Sequence, residues 1–405
     1  MATRRQFLLT AAAAGAARAL SACGGGDGTP AATPVVGGTT GTQPAEGGKP
    51  TAPSTDGGKP TAPPAATGDA TPPTQPVTPE LPFYGVNAHL LDDYAPLPAW
   101  LSSDYVGTLA DLGARVVRTN ISDAVGAAGL VPFFQSFAAS GIVPLVVIDQ
   151  GFDLAGSYET NYQAAHALGL AIAGPLNGHC RYFECGNELD FACRVDYLAR
   201  GRVNPVDAKP VDGSVPTDYR PASIEVLRGW TAGMLAGIKR VIPAAQCGYA
   251  SGVAYGHVVA DMLCNGKDTT GATTTTPIPL DFIGMHWYSS QNDILAAGPS
   301  THTNQFVNVL QQLNAVTSRK PIIVSEFGAW DTDANQARYL TSQLDVWRTH
   351  RSEYNIVAAL FYALFPNPAN QGETAAMNWG MLQTDGITRK AAYAAYRSYT
   401  KAYPV

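Results

Sequence analysis

Basic residues are scarce and nowhere clustered: the 405-residue chain has 26 Lys and Arg against 32 Asp and Glu, with no basic run longer than a pair such as Arg4-Arg5. A net charge of −6 gives phosphate no sequence-independent attraction, which argues against nucleic acid as a partner. The seven His and six Cys contain neither a His-x-x-x-His nor a Cys-x-x-Cys spacing, so the usual zinc ligand sets are missing and no metal is expected. No glycine-rich phosphate loop follows the first strand-like run, which counts against an open dinucleotide-binding sheet. A membrane-spanning run is lacking too. The apolar stretch at 7–20 is alanine-rich, shorter than the ~20 residues a span needs, and interrupted by Arg18.

That stretch reads instead as an export signal. Arg4-Arg5 directly precedes it in twin-arginine fashion, and Leu20-Ser21-Ala22-Cys23 looks like a bacterial lipoprotein cleavage box, with Cys23 the expected lipid carrier. Membrane contact is expected only through that lipid, on an otherwise monomeric protein. Residues 24–80 are Gly, Pro, Thr and Ala with an imperfect decapeptide repeat, GGKPTAPSTD then GGKPTAPPAA. They hold too little apolar surface to offset chain entropy and read as a disordered tether.

From residue 81 onward, strand-like runs alternate with helix-like ones. Strands are expected at 83–88, 115–119, 142–149, 181–187, 246–251, 281–287, 321–326 and 356–362. Helical composition falls at 104–112, 130–139, 162–173, 224–241, 304–316 and 334–349. Eight apolar strands alternating with helices predict a single (β/α)8 barrel over 81–405. Two connections are long. The one at 190–222 follows a strand and should wall the cleft, whereas 264–279 precedes one and belongs to the opposite face.

Two strands end in a carboxylate. RYFECGNEL carries Glu188 and KPIIVSEFG carries Glu326. A pair of carboxyl groups across a barrel rim is the minimum apparatus for breaking a glycosidic bond, one protonated to help the leaving oxygen and one ionised. A lone strand-end glutamate reads first as a surface salt-bridge residue; two in matched contexts weaken that reading. Strict alternation puts Glu184, Gly186 and Glu188 on one face, and Ile322, Val324 and Glu326 likewise. Asn187 should then point away from Glu188, and reaches a sugar only if the strand kinks at Gly186; otherwise it is a turn residue. In DFIGMHWYS, Gly284, His286 and Tyr288 share a face, so His286 or Tyr288 either hydrogen-bonds a carboxylate or packs in the core. Arg118, ending the second strand, is a cation that would lower a carboxylate pKa. Trp330 and Trp379, after the seventh and eighth strands, either stack on sugar rings or simply pack.

GNE, HWY and SEFG at strands four, six and seven together resemble the retaining glycoside hydrolases of clan A, particularly families 5 and 39. The resemblance covers 81–405. It implies Glu188 as acid/base and Glu326 as nucleophile, with Asn187 on the sugar 2-hydroxyl. Arg118 and Tyr288 would orient Glu326, while His89 and His286 would line the sugar site. Leu189 stands where many members have Pro, and Phe361, Tyr362 and Phe365 where a Trp is common.

The sequence therefore reads as an extracytoplasmic glycosidase acting on a β-linked polysaccharide or oligosaccharide with net retention, using no cofactor. Retention requires a carboxyl separation of ~5–5.5 Å. Two rivals stand beside this reading: a glycan-binding surface lipoprotein on the same barrel, against which the presence of both carboxylates argues, and a transglycosylase, which shares every residue named here. Five cysteines remain after Cys23, and strand order suggests Cys180–Cys247 and Cys193–Cys264 pairs with Cys185 buried and free.

Overall fold

The computed structural model describes residues 81–91, 104–198, 202–203, 211–291, 293–366 and 377–405. The signal at 1–23, its Cys23 and the tether at 24–80 lie outside the described residues. Among those described, no helix is long and apolar enough to cross a membrane.

Eight parallel strands close into a barrel: β1 Tyr84–Asn87, β2 Val116–Ile121, β3 Val143–Ile148, β4 Tyr182–Asn187, β5 Gln246–Ser251, β6 Phe282–Tyr288, β7 Ile322–Gly328 and β8 Ile356–Phe361. Each strand pairs with its sequence neighbours, and β1 closes the ring by pairing β8 as well as β2. All eight fall where the apolar runs predict them.

The main helices are α1 Tyr105–Leu112, α2 Ala124–Ala139, α3 Tyr158–Leu176, α4 Pro221–Val241, α5 His257–Asn265, α6 Val309–Thr317, α7 Asp333–Thr349 and α8 Ala391–Ala402, with a single helical turn at Arg351–Tyr354 before β8. Several begin at side-chain caps. Asp123 accepts from Gly126 N at 2.8 Å and starts α2 six residues before the expected point, because the Ala/Gly-rich 124–129 has no apolar period to reveal it. Ser157 and Thr160 form a capping box that likewise starts α3 early. Helix α5 lies in a stretch not read as helical, and it places the 266–281 connection on the face opposite the strand C-termini, as expected.

Two apolar clusters build the core. Val116, Leu145, Phe282, Ile323, Ala358 and Leu360 fill the barrel interior, and a larger cluster lies between sheet and helices. Helices α3 and α4 approach unusually closely. A Cβ added to Gly229, Gly233 or Gly237 of α4 would lie 2.2–2.3 Å from the carbonyl oxygens of Tyr158, Tyr162 and His166 of α3, so the glycine ridge lets backbone meet backbone.

The connection after β4 carries 3₁₀ turns at Phe191–Cys193 and Pro216–Asp218 and a two-stranded ribbon, Tyr197–Leu198 with Arg202–Val203. It is tied to the loop after β6. Thr301 N donates to Asp212 Oδ2 at 2.6 Å, Ser214 and Ser300 share a 2.7 Å hydrogen bond, and His302 Nε2 lies 2.7 Å from Asp218 Oδ1. That loop thus sits on the strand C-terminal face, where a cleft wall was expected.

Candidate active site

Strand ends supply the site, and two of them depart from strict alternation. Along β4 the pairing with β5 shifts between Glu184 and Asn187, at Gly186 with φ 142°, a backbone that favours glycine. The expected kink is present. It brings both Glu184 and Asn187 onto Arg118, and Glu188, itself at φ 51°, turns toward β6. Along β7, Val324 pairs with Met285 while Glu326 pairs with His286, leaving Ser325 as an extra residue. The face assignment for this strand is corrected accordingly: Ile322 and Val324 face the helices, Ile323 faces the barrel interior, and only the bulge returns Glu326 to the inside.

Arg118, fully buried, joins these ends. Its Nη1 donates to Glu326 Oε1 at 2.5 Å and to Asn87 Oδ1 at 3.0 Å, its Nη2 to Asn187 Oδ1 at 2.8 Å, and its Nε to Glu184 Oε2 at 2.7 Å. The Tyr288 hydroxyl donates to the other Glu326 oxygen. Burial pushes that phenol well above its ordinary range, and so does the neighbouring Glu326 charge, so Tyr288 keeps its proton and remains a donor. His286 Nδ1 stands between the two carboxylates, 2.7 Å from Glu188 Oε1 and 3.5 Å from Glu326 Oε2. One oxygen of each glutamate and this nitrogen all lie within 4.8 Å of one another.

The two carboxyl groups are driven in opposite directions. Burial raises the pKa of Glu188, helped by the charges of Glu326 and Asp190 and only partly offset by His286. At Glu326 burial also works upward, but His286, Arg118 and the Tyr288 hydroxyl outweigh it and hold the group below the ordinary carboxylate range. Burial alone would lower His286; the two glutamates raise it instead.

The remaining expected residues fall around this centre. His89 is buried beside Tyr362, with Nε2 3.3 Å from its hydroxyl, and desolvation lowers its pKa to about 4, so the ring is neutral. Trp379 is 4% exposed rather than an open plate, and packs edge-on against Tyr288, Tyr362 and Trp330 with centroids 5.1–5.8 Å apart. Trp330 is half-buried and is the more open face of this aromatic wall.

The sequence matches no protein-family model and no curated protein. Solved structures do share the architecture. A family 39 glycoside hydrolase from Bacteroides cellulosilyticus WH2 aligns at TM-score 0.51 with 18% identity, over 78% of this chain and 62% of that one. A β-glucosidase from Thermotoga maritima in complex with glucoimidazole aligns at TM-score 0.55 with 12% identity, over 80% and 98%. The exo-β-1,4-mannosidase Op5Man5 from Opitutaceae bacterium strain TAV5 aligns at TM-score 0.51 with 17% identity, over 79% and 59%. Their barrel is the barrel found here. This chain thus spans less than two thirds of the family 39 and mannosidase chains.

Within that shared barrel, the sequence alone does not single out four residues around the glutamates as site residues. Glu184 and Asn87 both grip Arg118, and Asn87 Nδ2 also donates to Ser325 O at 2.8 Å, holding the β7 bulge. Tyr362 stands out in the sequence only as a departure from Trp. Asp190 is buried and accepts from Gly252 N at 3.2 Å, Val253 N at 3.3 Å and the Ser251 hydroxyl, tying the turn after Glu188 to the end of β5. The signal was present for Asn87 and Tyr362, which end inward-facing strands, but nothing in the sequence tells them from turn or packing residues.

The cysteine pairing is corrected: all five described cysteines are free. Cys193 lies in the turn after β4 and donates to Ser223 O at 3.4 Å, whereas Cys264 ends α5, which returns the chain toward the opposite face. Cys180 turns its thiol to Tyr182 O at 3.3 Å, and the thiol that shares a hydrogen bond with Cys247 is Cys185. Cys185 is buried, as expected. Among the described residues, two groups have ligand-like spacing, Glu188–His286–Glu326 and Asp212–Asp218–His302. In the first, Arg118 already places a cation on Glu326; in the second, both carboxylates accept backbone or His302 hydrogen bonds.

Proposed function

We propose that this chain is a retaining glycoside hydrolase acting on a β-linked polysaccharide or oligosaccharide by double displacement. The observation that carries the reading is a pair of carboxyl groups a few ångströms apart whose surroundings push them in opposite directions, Glu188 toward its protonated form and Glu326 toward its ionised one. Fold-sharing enzymes named as a β-glucosidase and an exo-β-1,4-mannosidase support the β-linkage.

In the first step Glu326 attacks the anomeric carbon while Glu188 gives its proton to the departing glycosidic oxygen. Arg118 and Tyr288 orient the nucleophile and disperse its charge before attack. In the second step Glu188, now a carboxylate, takes a proton from water, which attacks the same carbon and releases Glu326. The oxygens lying within 4.8 Å favour this course over an inverting one, which needs carboxyl groups ~6.5–9.5 Å apart to admit water between them. Asn187 directs its amide toward the 2-hydroxyl with its carbonyl held by Arg118, His89 and His286 line the sugar position, and Trp330 with Trp379 forms the wall that meets the ring. The Arg4-Arg5 pair and Cys23 support export and lipid tethering, placing this chemistry outside the cytoplasm.

The test is product release by the full chain from aryl β-glycosides and from a panel of β-glucans, xylans, mannans and bacterial exopolysaccharides, with the anomeric configuration followed by NMR. Release with retained configuration, abolished by Glu326→Ala, is the expected outcome. Inverted product would overturn the mechanism, and glycan binding without cleavage would favour a binding protein. Transfer to added acceptor in place of hydrolysis would favour a transglycosylase.

A further inference from the structure

Arg118 bears two carboxylates, and the proposed chemistry occurs at only one of them. The other, Glu184 on β4, is 0% exposed and receives Arg118 Nε through Oε2 at 2.7 Å. Its Oε1 has no hydrogen-bond partner. Opposite it, β6 carries Gly284, where a Cβ would lie 2.6 Å from that oxygen, so the barrel interior is cleared to admit the carboxylate.

Burying an ionised group with one oxygen unpaired is costly, and a neutral side chain of the same shape would fill this space more cheaply. The charge therefore has another use. By taking the Nε edge of the guanidinium, Glu184 turns Nη1 toward Glu326 and Nη2 toward Asn187. It also divides the positive charge: paired with Glu326 alone, Arg118 would bind it as one half of a closed ion pair. A nucleophile held that tightly attacks poorly.

Building on the glycosidase reading, we propose that Glu184 is a positioning residue that fixes the Arg118 plane and shares its charge, leaving Glu326 anionic yet free to attack. The charged and titratable groups facing Glu326 are Arg118 from β2, Glu188 after β4, His286 and Tyr288 from β6, and His89 after β1, with Glu184 acting through Arg118.

The experiment compares wild type with Glu184→Gln, which keeps the shape and removes the charge, in the full chain. The acid limb of kcat/KM, where Glu326 ionises, is expected to move down by about 0.5–1 pH unit, because an undivided cation lowers a neighbouring carboxylate further. Across the plateau kcat should fall about tenfold with KM little changed, as for an interaction used in the transition state. A uniform loss at every pH with an unmoved limb means a merely structural residue and overturns the proposal. Should Glu184→Gln not fold, Glu184→Asp keeps the charge on a shorter arm; its acid limb should stay at the wild-type pH while kcat falls, and a shifted limb overturns the proposal.

Thermal melts of wild type, Glu184→Gln, Glu326→Gln and the double variant read the coupling without activity. The double variant should lose more stability than the two single losses summed, since it strips buried Arg118 of both carboxylates. Additive losses refute shared charge. A wild type inactive on every glycoside would sink the glycosidase reading while leaving this coupling measurable.

Discussion

The ends of β4 and β7 carry the same side chain in similar settings, yet the fold shifts the pKa values of the two glutamates in opposite directions. Both strands shift register just before the carboxylate, and both carboxyl groups are largely withdrawn from water, Glu326 buried and Glu188 half-buried. Glu326 meets Arg118, Tyr288 and His286, enough donors to stabilise an anion despite burial. Glu188 meets only the His286 bond among these, with Asp190 adding a second negative charge behind it. Desolvation is common to both, so the neighbours assign the roles: a desolvated carboxyl becomes a base or an acid according to the cations and donors around it.

The sharpest break of this comparison is to delete each glutamate and offer a small anion such as azide in its place. Glu326→Ala should lose at least about 10⁴-fold in kcat, and azide should restore turnover as a glycosyl azide of inverted configuration, since azide then replaces the nucleophile. Glu188→Ala should lose about 10²–10⁴-fold on substrates with poor leaving groups and far less on activated aryl glycosides, which need no protonation. Azide should rescue it with retained configuration. Interchanged product configurations would reverse the two roles.

A milder perturbation reads the split by pH. Catalysis should rise as Glu326 ionises, below the ordinary carboxylate range, and fall as Glu188 loses its proton, above that range, giving a bell between them. Stability should show the same opposition. Glu326, with its pKa depressed by folding, contributes stability that is present above its unfolded pKa and lost as pH falls through the folded one. Glu188, with its pKa raised, contributes stability that is present below its unfolded pKa and lost as pH rises through the folded one. At pH 7, Glu326→Gln should therefore lower Tm and Glu188→Gln should raise it, each by a few degrees, measured by calorimetry. Equal signs would mean the two sites are not electrostatically distinct.

The smallest expected effect lies at the rim. Trp330→Ala should raise KM by roughly tenfold or less with kcat preserved, as expected for loss of one stacking contact worth about 0.5–1.5 kcal/mol. Trp379→Ala should cost kcat as well, because its ring backs Tyr288, which holds Glu326. Steady-state kinetics on one substrate would separate the two tryptophans.

How far the chain could be read ahead of its structure follows from the range of each interaction. Strand placement rests on runs of apolar residues within a few positions, so all eight strands and the inward face of His286 and Tyr288 were legible. Where a strand slips against its neighbour, local alternation stops being a guide. Ile323 rather than Val324 faces the interior because Ser325 adds a residue opposite β6, and Asn87 from β1 holds that bulge. The glycine ridge of α4 was likewise invisible as a contact, since nothing in Gly229, Gly233 and Gly237 names the helix they touch.

The sequence by itself determined the eight-stranded alternation, the two carboxylates at strand tips and the candidates Arg118, His286 and Tyr288, because each is a local pattern of side chains along one strand. Only the tertiary structure decided which glutamate has its pKa raised and which lowered, that Glu184 shares Arg118, that Trp379 is enclosed, and that the five described cysteines stay unpaired. Those outcomes depend on groups brought within a few ångströms from strands far apart in the chain, where burial, charge and hydrogen bonds are set by closure of the barrel.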